Sequence, residues 1–298
     1  MTLAADVERP VVLRRHAEGE RARLLLLHGL ANSSTVWSEF VRHADRGFDI
    51  WSADLPWRGE GVASWSNRGD LPAWIAEAMD EVPGGAGVVV AHSFSATLLL
   101  TLLDREASAG RDPFERYGIR ALVLVSPFYR TDPEDFDWAD ISRYLNDFHL
   151  IMEDGIRVHA GGRVGPDLRR DLAHRVRDHV GPYGWTRFFQ TYLDTPWLRT
   201  DAIRVPCLVL AGERDFAAPP GEAVSLAGRL PDADVRVLPD CGHFLMSEQP
   251  GGFADAIAEF VAALPDTRRR RPPGADTDAL PTGRRAGSGF RPVGEHTR

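Results

Sequence analysis

The sequence predicts an α/β fold in which helices flank a mostly parallel central sheet and a helical cap is inserted into the chain. One observation is a set of short, β-branched apolar runs without polar alternation, which is typical of strands buried on both faces of a parallel sheet. Another is that helix-like segments separate these runs, as in repeated strand–helix units. The runs cover residues 24–27, 50–53, 88–91, 121–125, 207–211 and 235–238.

The remaining core elements are predicted from their first residues and their spacing. A helix over residues 34–44 opens with Ser-Ser-Thr, which are favourable N-cap residues. A helix over residues 72–79 begins with proline, which suits the first helical turn. The run 11–15 is predicted to be an antiparallel edge strand. The other core helices are expected over residues 94–106, 221–229 and 247–263.

Residues 127–200 interrupt this alternation, because they contain no apolar run that predicts a buried strand. They are expected to form a helical cap over the carboxyl edge of the sheet. In its last helix, Trp185, Phe188, Phe189 and Tyr192 recur at the spacing of one helical face. We expect Trp185 and Phe189 to line a substrate pocket, and the alternative is that these rings only attach the cap to the core. The cap helices are predicted over residues 138–147, 167–179 and 185–193.

The predicted domain organisation follows from these segments and from a change of composition near the end of the chain. Beyond residue 265 the sequence is rich in proline, glycine and arginine, with four consecutive arginines at 268–271. So few apolar residues remain there that we expect this tail to be disordered. The predicted units are a first core segment, the cap, a second core segment and the tail, over residues 1–126, 127–200, 201–264 and 265–298.

Composition excludes several classes of function. The formal net charge of −8 argues against nucleic acid as a partner. All 35 basic residues are arginine, which excludes a lysine nucleophile or Schiff base. The two cysteines, Cys207 and Cys241, are too few for a disulfide framework. Without a signal-like start or a long apolar run, we expect a cytoplasmic protein with no membrane partner. The oligomeric state is left open.

The strongest motif is a buried strand that runs into a serine and then into a helix. The segment Ala91-His92-Ser93-Phe94-Ser95 carries small residues two positions before and two after the serine. It resembles the nucleophile elbow of α/β-hydrolases, G-x-S-x-G, with alanine and serine in place of the two glycines. In that family a sharp strand-to-helix turn exposes the serine hydroxyl, and the resemblance implies that Ser93 is the nucleophile.

Further segments resemble the same family and occur in its order along the chain. His28-Gly29-Leu30 is similar to the oxyanion-hole loop, and Asp54-Leu55-Pro56-Trp57 is similar to a structural loop in which Trp57 replaces a glycine. Gly212-Glu213-Arg214-Asp215 resembles the segment of the triad acid, and Gly242-His243 that of the base. The resemblance covers roughly residues 10–126 and 200–264.

The resemblance implies a site built from these segments. Asp215 would orient His243 as general base, while the backbone N–H groups of Leu30 and Phe94 would form the oxyanion hole. His28 would brace this loop and is also expected to lie in the substrate pocket. Asp132, after the run 121–125, is an alternative acid.

The expected function is hydrolysis of a small-molecule carboxylic ester, thioester or lactone through an acyl-enzyme. This mechanism needs neither a metal nor an organic cofactor. A cofactor-free lyase or oxygenase of the same fold is an alternative, because Ser93 and His243 can also transfer protons. A non-catalytic binding protein on this scaffold is another.

Overall fold

The computed structural model describes residues 10–58, 65–67 and 69–265 of the chain. Its central feature is a seven-stranded sheet with the strand order β1-β3-β2-β4-β5-β6-β7. Strand β1 runs antiparallel to β3, and every other neighbouring pair is parallel. The strands are β1 Val12–Ala17, β2 Ala22–Leu27, β3 Phe48–Asp54, β4 Gly87–His92, β5 Ile119–Val125, β6 Cys207–Gly212 and β7 Ala233–Leu238.

The inner strands β2, β4, β5 and β6 form where the sequence is largely apolar without alternation, which fits a sheet covered on both faces. The side chains of β2, β4, β5 and β6 pack into two clusters of buried residues, one on each face of the sheet. Each predicted apolar run lies within a strand, and the predicted edge strand is β1. The prediction of a mostly parallel α/β sheet is confirmed. Cys207 and Cys241 are buried free thiols.

Helices cover both faces of the sheet, and several of them differ from the prediction. The segment predicted as one helix over 247–263 is broken before Pro250, which begins a new helix at its first-turn position. Helix α4 was not predicted. The helices outside the cap are α1 Ser38–His43, α2 Leu71–Asp80, α3 Phe94–Ser108, α4 Pro113–Tyr117, α7 Pro220–Ala227, α8 Leu245–Glu248 and α9 Pro250–Ala263, and a 3-10 turn Ser34–Trp37 precedes α1.

The inserted cap consists of two long helices between β5 and β6. Helix α5 covers Trp138–Ala160 and is longer than predicted. Helix α6 covers Pro166–Leu193 and is interrupted at Gly181, whose φ of 66° and ψ of 175° are not helical. This interruption separates the two segments that the sequence predicts as distinct helices.

The exact division of the chain at residues 126 and 200 stays a prediction. The predicted tail, apart from Pro265, lies outside the described residues. Within the part of the chain that the structure describes, no helix combines the length and the apolar character needed to cross a membrane.

Candidate active site

Ser93 lies at the sharp turn between β4 and α3. Its φ of 56° and ψ of −124° are unusual for a residue with a side chain. Such a conformation costs of the order of 1–3 kcal/mol and persists only where neighbours hold it. One of these neighbours is β5, where the Val125 carbonyl accepts a 2.8 Å hydrogen bond from the Ser93 N–H. The turn brings the serine to the wall of a cavity at the carboxyl edge of the sheet.

The small residues around Ser93 have distinct roles in the packing of this turn. Ala91 is fully buried, and the Ser95 hydroxyl donates a hydrogen bond to the His28 carbonyl in the loop after β2. Gly29 of that loop lies so close to the turn that a β-carbon there would be 3.0 Å from the Ser93 Cβ. The serine that replaces the second glycine of the motif therefore ties the turn to the loop.

His243 and Asp215 complete a hydrogen-bonded chain with Ser93. The His243 Nε2 lies 3.0 Å from the Ser93 hydroxyl, and its Nδ1 lies 2.8 Å from one Asp215 carboxylate oxygen. The other Asp215 oxygen accepts hydrogen bonds of 2.9 Å from the N–H groups of Ala217 and Ala218. All three side chains are buried, and each follows the carboxyl end of a different strand.

The electrostatic environment of His243 is dominated by two opposing effects. Burial alone would lower the pKa of its imidazole, but the adjacent Asp215 carboxylate raises the pKa by charge and by hydrogen bonding. The net result is a pKa above the ordinary imidazole value. An imidazolium at this position is therefore stabilised.

Two further histidines near Ser93 are held neutral. His92 donates a 3.0 Å hydrogen bond from Nε2 to the His243 carbonyl, and burial holds its pKa well below the ordinary value. His28 accepts a 2.9 Å hydrogen bond at Nε2 from the Leu55 N–H, and burial lowers its pKa to about 4. Both side chains brace the backbone around the site, so His243 is the imidazole placed to exchange a proton with Ser93.

Two backbone N–H groups were predicted as oxyanion donors. Phe94 is the first residue of α3, so its N–H has no acceptor within the helix. Leu30 lines the cavity, and the next residue, Ala31, donates a 2.9 Å hydrogen bond to the Trp57 carbonyl. Trp57, which replaces a glycine of the family pattern, is a buried core residue whose ring packs on Phe94. The oxyanion role of these donors stays a prediction.

The cavity has a volume of about 760 Å³ and reaches from the sheet edge to the cap. One part of its wall is apolar and is formed by α5, α6 and neighbouring loops. The other part is polar and is formed near β1 and the loops after β2 and β3. The apolar wall includes Phe128, Phe148, Ile151, Met152, Ile156 and Phe188, and the polar wall includes Arg14, His16, Asn32, Ser33, Thr35 and Arg58.

Three residues were predicted to line the substrate pocket, namely His28, Trp185 and Phe189. None of them is among the described residues that line this cavity. Trp185 stacks on Phe189 with ring centroids 5.0 Å apart, and Phe189 packs inside the cap. Phe188, one position away, lines the cavity instead. The helical spacing identifies the buried face of α6, but tertiary packing decides which ring of that face reaches the cavity.

The alternative acid, Asp132, does not approach His243. It is exposed at the start of a short 3-10 turn, where its N–H donates to the Asp135 carboxylate.

Comparison with known proteins agrees with this fold. A pimeloyl-[acyl-carrier protein] methyl ester esterase of Aromatoleum aromaticum is 28% identical over 260 residues, which cover 81% of this chain and 98% of that protein. A 2-hydroxy-6-oxononadienedioate/2-hydroxy-6-oxononatrienedioate hydrolase of Burkholderia vietnamiensis is 22% identical over 258 residues, which cover 80% of this chain and 86% of that protein. A solved structure of a bromoperoxidase from Bacillus anthracis superimposes with a TM-score of 0.64 at 17% identity, over 85% of this chain and 95% of that chain.

The model of the alpha/beta hydrolase family matches residues 24–256, which is most of the chain. This match covers most of both core segments and the whole of the cap between them. It confirms the prediction of an α/β-hydrolase enzyme. The chain belongs to the α/β hydrolase family.

Proposed function

We propose that the chain hydrolyses a carboxylic ester, thioester or lactone, with Ser93 as nucleophile, His243 as general base and Asp215 as the acid that orients the histidine. One observation carries the proposal: Ser93 occupies a strained strand-to-helix turn at a cavity and is hydrogen-bonded in series to His243 and Asp215. The names of the relatives agree with it, because one acts on a methyl ester.

In the first half-reaction, the Ser93 oxygen attacks the acyl carbon while its proton moves to the His243 Nε2. The carbonyl oxygen becomes an oxyanion, for which the N–H groups of Leu30 and Phe94 are the proposed donors. Asp215 stabilises the imidazolium through Nδ1. When the tetrahedral intermediate collapses, the leaving alcohol or thiol takes the proton from Nε2, and the acyl group stays on Ser93.

In the second half-reaction, a water molecule attacks the acyl carbon and gives one proton to the His243 Nε2. Collapse of this intermediate breaks the bond to Ser93, whose oxygen recovers the proton from the imidazolium. The products are a carboxylic acid and the free enzyme. His243 accepts and returns one proton in each half, which suits a pKa near neutrality.

The cavity supports a substrate with an apolar group. The wall contributed by α5, including Phe148, Ile151 and Met152, is apolar, and Phe188 of α6 adjoins it. Burial of one methylene contributes about 0.8 kcal/mol, so each additional carbon that fits should tighten binding several-fold. We propose an acyl group with an aliphatic or aromatic body.

The test is hydrolysis of p-nitrophenyl esters of increasing acyl length by wild-type protein, Ser93→Ala and Ser126→Ala. Ser126 is a matched control, because it is a buried serine at the end of β5 with positive φ and without a hydrogen-bond partner for its hydroxyl among the described residues. Ser93→Ala should abolish turnover without unfolding the protein, and Ser126→Ala should retain it. Turnover by folded Ser93→Ala would contradict the proposal.

A further inference from the structure

A polar cluster of three buried side chains and one partly exposed arginine lies beside the proposed catalytic residues but outside the cavity. We call it the polar clamp, and it consists of Arg130, Tyr144, Tyr192 and Glu222. Arg130 follows β5, the two tyrosines belong to the cap helices α5 and α6, and Glu222 lies in the first turn of α7. None of the four lines the cavity, so direct contact with substrate does not explain them.

The first contact of the clamp is with the acid loop, residues 215–219, which follows β6. The Tyr144 side chain is only 2% exposed, and its hydroxyl donates a 3.0 Å hydrogen bond to the Ala217 carbonyl. The N–H of the same residue, Ala217, donates to the Asp215 carboxylate over 2.9 Å. Ala217 therefore links the cap to the acid, because its carbonyl is bound by Tyr144 and its N–H binds Asp215.

The second contact fixes the far end of the acid loop. Glu222 accepts a 2.8 Å hydrogen bond from the Tyr129 N–H and another from the Tyr192 hydroxyl. The Tyr192 hydroxyl in turn accepts a 2.8 Å hydrogen bond from Arg130, whose Nε also lies 3.2 Å from Glu222. These contacts join the start of α7 to β5 and to the cap.

Burying polar and charged side chains costs free energy, so this cluster would be an unfavourable way merely to attach the cap to the core. Burial raises the pKa of the Glu222 carboxyl to about 7, against the opposing effects of Tyr192, the Tyr129 N–H and Arg130. Well-packed apolar residues usually hold two elements together at least as stably as a buried charged pair. What polar contacts add is direction, because a hydrogen bond fixes the position of one atom relative to another.

We propose that Tyr144 is a positioning residue, which, together with the Glu222 anchor, holds the acid loop so that Asp215 meets the His243 Nδ1. The inference rests on the proposed function, because it gives Asp215 its role there. The cap thereby contributes to the alignment of the catalytic chain as well as to the cavity wall.

The experiment compares Tyr144→Phe with Tyr117→Phe in the full chain. Tyr117 is a matched control, because it is equally buried at 2% exposed but its hydroxyl has no hydrogen-bond partner among the described residues. The readout is the second-order rate constant of inactivation by a fluorophosphonate, measured from pH 5 to 9. This rate depends on proton transfer from Ser93 to His243, and it can be measured without knowing the natural substrate.

For Tyr144→Phe we expect a plateau rate lower by about three- to tenfold, as for one neutral hydrogen bond. We also expect the acidic limb to move to lower pH, because a loosened Asp215 raises the His243 pKa less. Among the described residues, the other carboxylates that raise the His243 pKa are Asp154 of α5 and Glu248 of α8, and the neutral His92 lies beside its ring. None of these is changed by the substitution, so the displacement reports on Asp215.

Tyr117→Phe should leave both the plateau and the limb unchanged. Equal profiles for the two variants would overturn the inference, and so would a lower plateau for Tyr144→Phe without movement of the limb. A wild-type protein that forms no adduct would instead contradict the proposed function and this inference with it. An adduct on wild type with an unaltered Tyr144→Phe profile would contradict the positioning role alone.

Discussion

The substitution Gly29→Ala tests whether the loop after β2 works in contact with Ser93. An alanine β-carbon at this position would lie 3.0 Å from the Ser93 Cβ and 3.0 Å from the His92 Nδ1. Neither neighbour can yield easily, because Ser93 is held in its strained turn and His92 is hydrogen-bonded to the His243 carbonyl. We therefore expect the loop itself to move by a few tenths of an ångström and to carry the Leu30 N–H with it.

The magnitude follows from the role of that donor. Loss of one oxyanion donor costs about 100- to 1000-fold in rate, and a displaced donor should cost toward the lower end. We expect kcat/KM to fall about 100-fold, which is about 2.7 kcal/mol of transition-state stabilisation. Overpacking should destabilise the fold by about 1–3 kcal/mol.

The assay is hydrolysis of p-nitrophenyl butyrate, with thermal unfolding measured in parallel. Gly251→Ala is the matched control, because an added methyl group there meets no atom within 4 Å. Its rate should equal that of wild type. A folded Gly29→Ala protein whose rate stays within twofold of wild type would show that the loop does not supply a donor beside Ser93.

Two other predictions concern the base and the cavity wall. Neutral His243 is the proposed base, and Asp215 raises its pKa. We therefore expect kcat/KM to fall as the pH drops through a value above 6.5, the ordinary imidazole pKa, and a pH–rate profile without this acidic limb would contradict the assignment. Asp215→Asn should lower kcat about 10⁴-fold. Phe188→Ala should shift the preference toward longer acyl chains, because Phe188 lines the cavity. The matched control is Phe189→Ala, which removes a ring of similar burial and should leave the preference unchanged. Each of the two substitutions should cost about 3–5 kcal/mol in the free energy of unfolding, because each leaves a cavity in the core. A change of preference in Phe189→Ala but not in Phe188→Ala, measured with a series of p-nitrophenyl esters, would contradict the placement of these rings.

The strands were predictable because burial on both faces leaves a direct mark on the sequence. The apolar runs at 88–91 and 121–125 lie within β4 and β5, with only the ends extended by one or two residues. Helix ends were predictable where a local signal exists, as at Ser93 and Phe94. The length of α5 was not, because the predicted helix ends at residue 147, whereas α5 continues through Gly155 to Ala160. In the structure a β-carbon at Gly155 would lie 2.9 Å from the Phe244 ring, so close packing accounts for glycine within the helix.

The residues of the proposed site could be predicted where a motif specifies both residue and order. The segments that contain Ser93, Asp215 and His243 lie far apart in sequence, and the structure brings the three side chains into one hydrogen-bonded chain. The cavity wall was not predictable, because periodicity identifies the buried face of α6 but not which ring points to the cavity. The polar clamp carried no sequence signal either, since Tyr144 and Glu222 meet the acid loop only through tertiary packing.

Labelling with a fluorophosphonate asks whether Ser93 is an activated nucleophile, on which the proposed function depends. We expect one adduct on wild-type protein, seen by intact mass and mapped to Ser93 by peptide sequencing, and none on Ser93→Ala or His243→Ala. Folded wild-type protein without an adduct, or with its adduct on another residue, would contradict this role of Ser93. That result would favour a lyase, an oxygenase or a non-catalytic binding protein with the same fold.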